Sequence, residues 1–274
     1  MKARVIDTGT KELLCSVENN VATVSFNRAE QRNALGDIVT PALRKTLLKL
    51  GTDGDVRVIV ITGVGKAFCA GGDIKGMGNR GNMSDDRTLD EKISDLRHRQ
   101  NTLTLRLYEL PKPTIAALPG AAAGAGMSIA LACDIRIGTK NAFYASGYGL
   151  VGLSGDYGGS WQLTKLVGPA KAKEIYYTGR RIHADEALQL GLLNEVVEQD
   201  YLQTRTKELA IQIAKGPPIA IRYMKENINQ ATQADFKECL DWEADRLIRA
   251  AQTNDHEEAV RAFIEKRDPI FKGN

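Results

Sequence analysis

Apolar and polar positions follow two rhythms in this chain: a strand and helix alternation in its first half, and helical spacing in its last third. Residues 13–17 and 21–26 are apolar, β-branched runs joined by Glu18, Asn19 and Asn20. Asn suits the turn of a hairpin, so two antiparallel strands are expected there. Residues 33–50 place Leu35, Ile38, Val39, Leu43 and Leu47 at helical spacing. After a break at 51–55, residues 56–62 include Val58, Ile59, Val60 and Ile61 in succession, the mark of a strand buried in a parallel sheet. These segments predict a β-α-β unit. A second unit is expected from a strand at 114–118, a small-residue stretch at 120–126, an apolar helix near 127–132 and a strand at 134–138.

Between the two units, residues 79–95 are polar, charged and Gly-containing. A mobile surface segment is expected there, ahead of a helix over 91–109. From Gly168 onward the spacing predicts helices at 170–178, 184–190, 200–214, 217–227, 233–250 and 256–266, with one short strand at 194–197. Pro217 and Pro218 fit a first helical turn, where a missing N–H costs nothing. The expected division is a core over 1–200 and a helical region over 201–274 whose apolar faces need a partner surface. No internal repeat is present.

Composition narrows the possible partners. The chain has 274 residues with 37 Lys or Arg and 34 Asp or Glu, a formal charge of +3, which weakens nucleic acid as a target. With 43% hydrophobic and 26% charged residues it is an ordinary globular composition, not a disordered or fibrous one. Cys15, Cys69, Cys133 and Cys239 lie far apart without a C-x-x-C pair, against a zinc site or disulfide framework and for buried thiols in a reducing compartment. No uncharged apolar run reaches the roughly 18 residues of a membrane helix, and the first residues carry no apolar leader. A cytoplasmic protein without membrane partners is the expectation.

Two familiar patterns fail on context. Gly76, Gly78 and Gly81 spell G-x-G-x-x-G, but the dinucleotide turn needs a strand before it and an apolar helix after it, and Asn82, Met83, Ser84, Asp85 and Asp86 follow instead. A flexible loop is expected. His98, His183 and His256 stand apart from one another and from any Ser or Cys motif, so each reads as a surface histidine. Residues 63–74 and 120–128 are more informative, being glycine-rich turns beyond the carboxyl ends of two buried strands. Such turns let backbone N–H groups face a ligand, and two converging turns can hold a carbonyl oxygen that becomes an oxyanion. Close packing of helix on sheet would explain either turn alone.

Three segments together resemble the crotonase (enoyl-CoA hydratase/isomerase) family: Phe68-Cys69-Ala70-Gly71-Gly72-Asp73; residues 121–128 with Ala130-Leu131-Ala132-Cys133-Asp134; and Gly179-Arg180-Arg181-Ile182 with Ala184-Asp185-Glu186-Ala187 and Gly191-Leu192. The likeness runs in order over about residues 13–272. It implies an α/β fold with a β-β-α spiral core, a C-terminal helical trimerisation region, acyl-CoA thioester substrates, no cofactor beyond the CoA of the substrate, and a homotrimer or dimer of trimers. By matched position it puts the two oxyanion donors on the backbone N–H groups of Gly72 and Ala125. It puts Ala70, Gly71, Asp73, Ile74 and Tyr148, with Arg32 and Lys272, among the substrate-binding positions. The 79–98 region would wall the acyl pocket, with Ser146, Gly147 and Ser154 leaving room for a bulky group.

Members of this family differ in acid and base, so the carboxylates decide the reaction. Between Lys112 and Lys165 the acidic residues are Asp134 and Asp156 alone. The glutamate pair typical of the hydratases matches Ser128 and Tyr148 here, so both carboxylates are missing. Asp156 matches the catalytic aspartate of several isomerases of the family; its other reading is an N-cap for a helix starting near Gly159. Asp134, beside Arg136, reads as a structural carboxylate. Asp has an ordinary pKa of about 3.9. It gains strength as a base in an apolar cleft, for which Leu150, Val151, Leu153, Tyr157 and Trp161 are candidates, while a helix N-terminus pulls the other way. The expectation is enoyl-CoA double-bond isomerisation by Asp156. The alternatives are hydration with an atypical acid and base, nucleophilic substitution on an aromatic acyl-CoA, and a noncatalytic RNA-binding relative.

Overall fold

The computed structural model describes residues 3–73 and 86–274. The chain begins with β1 (Arg4–Val5), β2 (Leu13–Glu18), β3 (Val21–Phe26), α1 (Val39–Thr52), β4 (Val58–Gly63) and β5 (Ala67–Cys69). Next come α2 (Leu89–Gln100), a π-helical stretch Asn101–Leu105, α3 (Arg106–Glu109), β6 (Thr114–Leu118), β7 (Ala121–Ala123), α4 (Ala125–Leu131), β8 (Ile135–Thr139) and β9 (Phe143–Ala145). The remainder is α5 (Gly159–Thr178), β10 (Arg181–His183), α6 (Ala184–Gln189), β11 (Glu195–Val197), α7 (Leu202–Ala214), α8 (Pro218–Ala231), α9 (Phe236–Ala251) and α10 (Asn254–Glu265).

The larger sheet has the order β1-β2-β3-β4-β6-β8-β11. Its first three strands pair antiparallel, and from β3 to β11 every neighbour is parallel. Asn19 and Asn20 turn the β2–β3 hairpin with φ of 52° and 62°, the double left-handed geometry that Asn tolerates. The consecutive apolar residues of β4 are buried because both faces of the sheet are covered. Val21, Val58, Val60, Ile115, Ala117 and Ile137 meet Leu202, Ala210 and Ala214 of α7 on one face. The other face carries the larger core around Leu43, Leu47, Ile59, Ile61 and Met127. Burial of each such Val, Ile or Leu contributes about 1.5–3 kcal/mol. Because α7 packs on the sheet, the shared packing runs past the division drawn at residue 200.

A smaller sheet, β10-β9-β7-β5, stands beside the first. Its strands are three residues long, and β5 and β7 pair in parallel directly after β4 and β6. Gly120 makes that switch possible: a Cβ there would sit 2.1 Å from the carbonyl oxygen of Lys66. Helix α1 starts later than the apolar spacing predicts, since Leu35 leaves the helix to bridge Gly72. Helix α5 joins the helix expected near Gly159 to the one expected from residue 170, with a kink at Gly168 ahead of Pro169. Helices α8 to α10 leave Met224, Ile228, Phe236, Leu247, Ile248 and Phe263 exposed on the single chain. Among the described residues, no helix is long and apolar enough to cross a membrane.

Candidate active site

The bridge between Leu35 and Gly72 orients the backbone of the first expected donor. Leu35 donates its N–H to the Gly71 carbonyl (2.7 Å) and its carbonyl accepts from the Asp73 N–H (3.1 Å). In parallel pairing this uses the groups flanking Gly72, so Gly72's own N–H turns to the opposite side. The second donor comes from a helix end. Ala125 is the first residue of α4, whose first i→i−4 bond is Ser128 N–H to Gly124 O (3.2 Å), leaving the Ala125 N–H without an intrahelical acceptor. The two turns touch. Gly71 adopts φ of 85°, and a Cβ on it would lie 2.6 Å from the Ala123 carbonyl oxygen and 3.4 Å from the Ala125 nitrogen.

Gly72, Ala125 and Asp156 line one cavity of about 160 Å³, together with Leu35, Asp73, Leu96, Arg99 and Tyr157. Asp156 does not cap α5: the cap position is Gly158, and no side chain bonds the first turn. Its Oδ1 instead accepts the Tyr148 hydroxyl at 2.6 Å, and its carbonyl accepts the Ser128 hydroxyl at 3.1 Å. Ser128 and Tyr148, which stand where the hydratase glutamates were expected, are buried and serve to hold the aspartate. Burial pushes the Asp156 carboxyl above its ordinary value, and the Tyr148 hydrogen bond opposes that rise. The apolar surroundings are aromatic: Tyr148 stacks on Tyr176 at 5.9 Å between centroids, and Tyr157 is buried beside the carboxylate. Leu150, Val151 and Leu153 are exposed instead, the first two on the 3-10 turn Gly149–Val151 and Leu153 just beyond it.

The other expected site residues divide by location. Ala70 donates its N–H to the Arg32 carbonyl at 3.0 Å, so the Arg32 backbone meets the Ala70 turn while its side chain is exposed. Asp73 lies 3.5 Å from the Arg28 guanidinium. Lys272 does not line this cavity; it lies in a separate one with Arg57, Lys112 and Pro218. Ile74 and the G-x-G-x-x-G glycines lie outside the described residues. Asp134 accepts the Thr114 N–H (2.8 Å) and pairs with Lys225 (2.9 Å), a structural carboxylate away from the cavity.

Arg28 is a residue that sequence reasoning missed. Its guanidinium donates to the Ala34 carbonyl, lies 3.4 Å from Glu12 and reaches Asp73, so it ties together both strands of chain that flank the Gly72 amide. Asn33 backs it from a fully buried position, donating to the carbonyls of Val64 and Ala67. An Arg and an Asn between a strand and a helix carry no local pattern that announces this work.

Solved structures share the whole architecture. An enoyl-CoA hydratase from a Polaromonas species, 32% identical, superposes with a TM-score of 0.87 over 94% of this chain and 99% of that one. The fold is that of the crotonases. A family model described as enoyl-CoA hydratase/isomerase matches residues 16–274, and the chain belongs to that family. Relatives include the short-chain-enoyl-CoA hydratase of Clostridium acetobutylicum, 36% identical over 91% of this chain and 93% of its own length. The 1,2-epoxyphenylacetyl-CoA isomerase of Escherichia coli is 33% identical over 95% and 98%.

Proposed function

We propose that the protein is an acyl-CoA double-bond isomerase in which Asp156 is the sole acid and base. The observation that carries this reading is the shared cavity of Gly72, Ala125 and Asp156, with Ser128 and Tyr148 committed to holding the aspartate. The thioester oxygen sits between the two backbone N–H groups. Asp156 takes a proton from C2 of a 3-enoyl thioester, and the C–H electron pair passes into a dienolate whose oxygen is held by those donors. The protonated Asp156 then returns the proton at C4, which leaves the 2-enoyl thioester. Each amide donor contributes about 3 kcal/mol to the enolate-like transition state, and a positioned acid or base about 10²- to 10⁴-fold in rate.

The deciding experiment incubates the protein with 3-enoyl-CoA and 2-enoyl-CoA substrates and follows mass. Isomerisation leaves mass unchanged and hydration adds one water. Asp156→Asn is expected to remove turnover while thioester binding persists; full activity in that variant would overturn the reading. The second reading, hydration, is favoured by the clostridial relative's name and would show as solvent oxygen in a 3-hydroxyacyl product. CoA arrives with the substrate, so no separate cofactor enters either scheme. The apolar faces of α8 to α10 support a further proposal of homotrimers or dimers of trimers, which sedimentation of the purified protein tests.

A further inference from the structure

The stretch that carries Asp156 is held by few backbone bonds and has unusual geometry. Gly155, Tyr157 and Gly158 have φ of 116°, 53° and 74°, and for a bulky aromatic residue such as Tyr157 the left-handed region is costly. A buried backbone N–H must find an acceptor. The Tyr157 N–H finds it in a side chain 57 residues away: Gln100 Oε1 accepts it at 2.7 Å. Gln100 is the last residue of α2, where the helix widens into the π-helical stretch Asn101–Leu105, and such widenings often accompany functional sites. The same helix walls the catalytic cavity with Leu96 and Arg99. On its other side Tyr157, itself buried, borders a groove of about 350 Å³ lined by Gln100, Tyr108, Gly158 and Trp161.

We infer that Gln100 is a positioning residue that sets the aim of Asp156 by anchoring the Tyr157 amide. Three side-chain hydrogen bonds then define the aspartate's place, Tyr148 on its carboxylate, Ser128 on its carbonyl and Gln100 on the next N–H, beside one backbone bond from the Gly159 N–H to the same carbonyl at 3.3 Å. The inference rests on Asp156 being the base. Gln100 touches no reacting atom, so its loss should alter the rate of chemistry more than the binding of the thioester, and a misplacement of about 1 Å is enough to cost about 10²-fold.

The test compares Gln100→Met, which keeps the volume and removes the acceptor, with Gln100→Glu, which keeps an acceptor, each on the alkaline plateau of its own rate profile and below its own melting temperature. Gln100→Met is expected to lower kcat about 10- to 100-fold with KM within about twofold. Gln100→Glu is expected to recover most of that loss. A packing role predicts the reverse order, with Met tolerated and Glu impaired, and that outcome overturns the inference. So does wild-type kcat in both variants while Asp156→Asn is inactive. Should Asp156→Asn itself turn over substrate fully, the base assignment fails first and this inference falls with it.

Discussion

Tyr148 donates its hydroxyl to Oδ1 of Asp156 at 2.6 Å, and the pair occupies a partly dry corner beside the Tyr176 and Tyr157 rings. Burial and then the adjacent carboxylate push the Tyr148 phenol far up, so it stays a neutral donor. Burial raises the Asp156 carboxyl, while the phenol's bond stabilises its charged form and lowers it. The two effects pull against each other on the group proposed as the base.

Tyr148→Phe removes the lowering effect and keeps the stacked ring. The folded-state pKa of Asp156 then rises further, and the base is ionised only at higher pH. The acidic limb of the kcat/KM profile is expected to move to higher pH, with the alkaline plateau lowered because one of the bonds that place the carboxylate is gone. A limb that stays in place would mean that this carboxylate does not control the reaction.

Asp156→Asn has a second consequence, in stability. A carboxyl whose folded pKa is raised binds its proton more tightly in the native state than in the unfolded one. Relative to a neutral side chain it costs nothing below the ordinary carboxylate range, and the cost grows as pH rises toward the folded value. Asparagine escapes that cost and still accepts from Tyr148. The variant is therefore expected to melt above the wild type at neutral pH, with the gap closing in acid. Melting curves across that range check the sign.

Much of the large sheet was legible because its signals are local. The Asn19-Asn20 turn needs only two residues, and the Val58, Ile59, Val60, Ile61 run needs only burial on both faces. The small sheet was not legible: Ala121–Ala123 and Ala67–Cys69 are three residues each, too short to show a period of two. The site divides in the same way. Both glycine turns are short local patterns, whereas Asp156 is singled out only by its matched position in the family resemblance. Ser128 and Tyr148 could be read only as missing carboxylates, because the bonds they make to residue 156 arise from chain crossings. The expected leucine cleft failed for a related reason: Leu150 and Leu153 are near Asp156 in sequence but face solvent.

Gly71→Ala tests the contact between the two donor turns. The added methyl would meet the Ala123 carbonyl oxygen at 2.6 Å on a backbone with φ of 85°, so either the Gly72 or the Ala125 amide has to move. Loss of one oxyanion donor costs about 10²- to 10³-fold in kcat. A fall in kcat of that order, larger than any change in KM, is expected in the folded variant by steady-state kinetics. A fall in affinity alone would place Gly71 in binding instead.

Asp134→Ala should separate stability from chemistry. Asp134 Oδ2 accepts from the Thr114 N–H and hydroxyl and pairs with Lys225 at 2.9 Å, and the Lys225 side chain is only 8% exposed. Removing the carboxylate strands a buried ammonium, and breaking such a pair from one side costs about 3 kcal/mol. Replacing Lys225 by Met in the same chain removes the stranded charge, so the double variant is expected to recover part of the loss. Urea midpoints give the stability order: wild type, then the double variant, then Asp134→Ala. Because neither residue lines the cavity of Gly72, Ala125 and Asp156, kcat/KM per folded molecule should stay at the wild-type value in both variants. A selective loss of turnover in Asp134→Ala at full folding would give that carboxylate a part in the reaction.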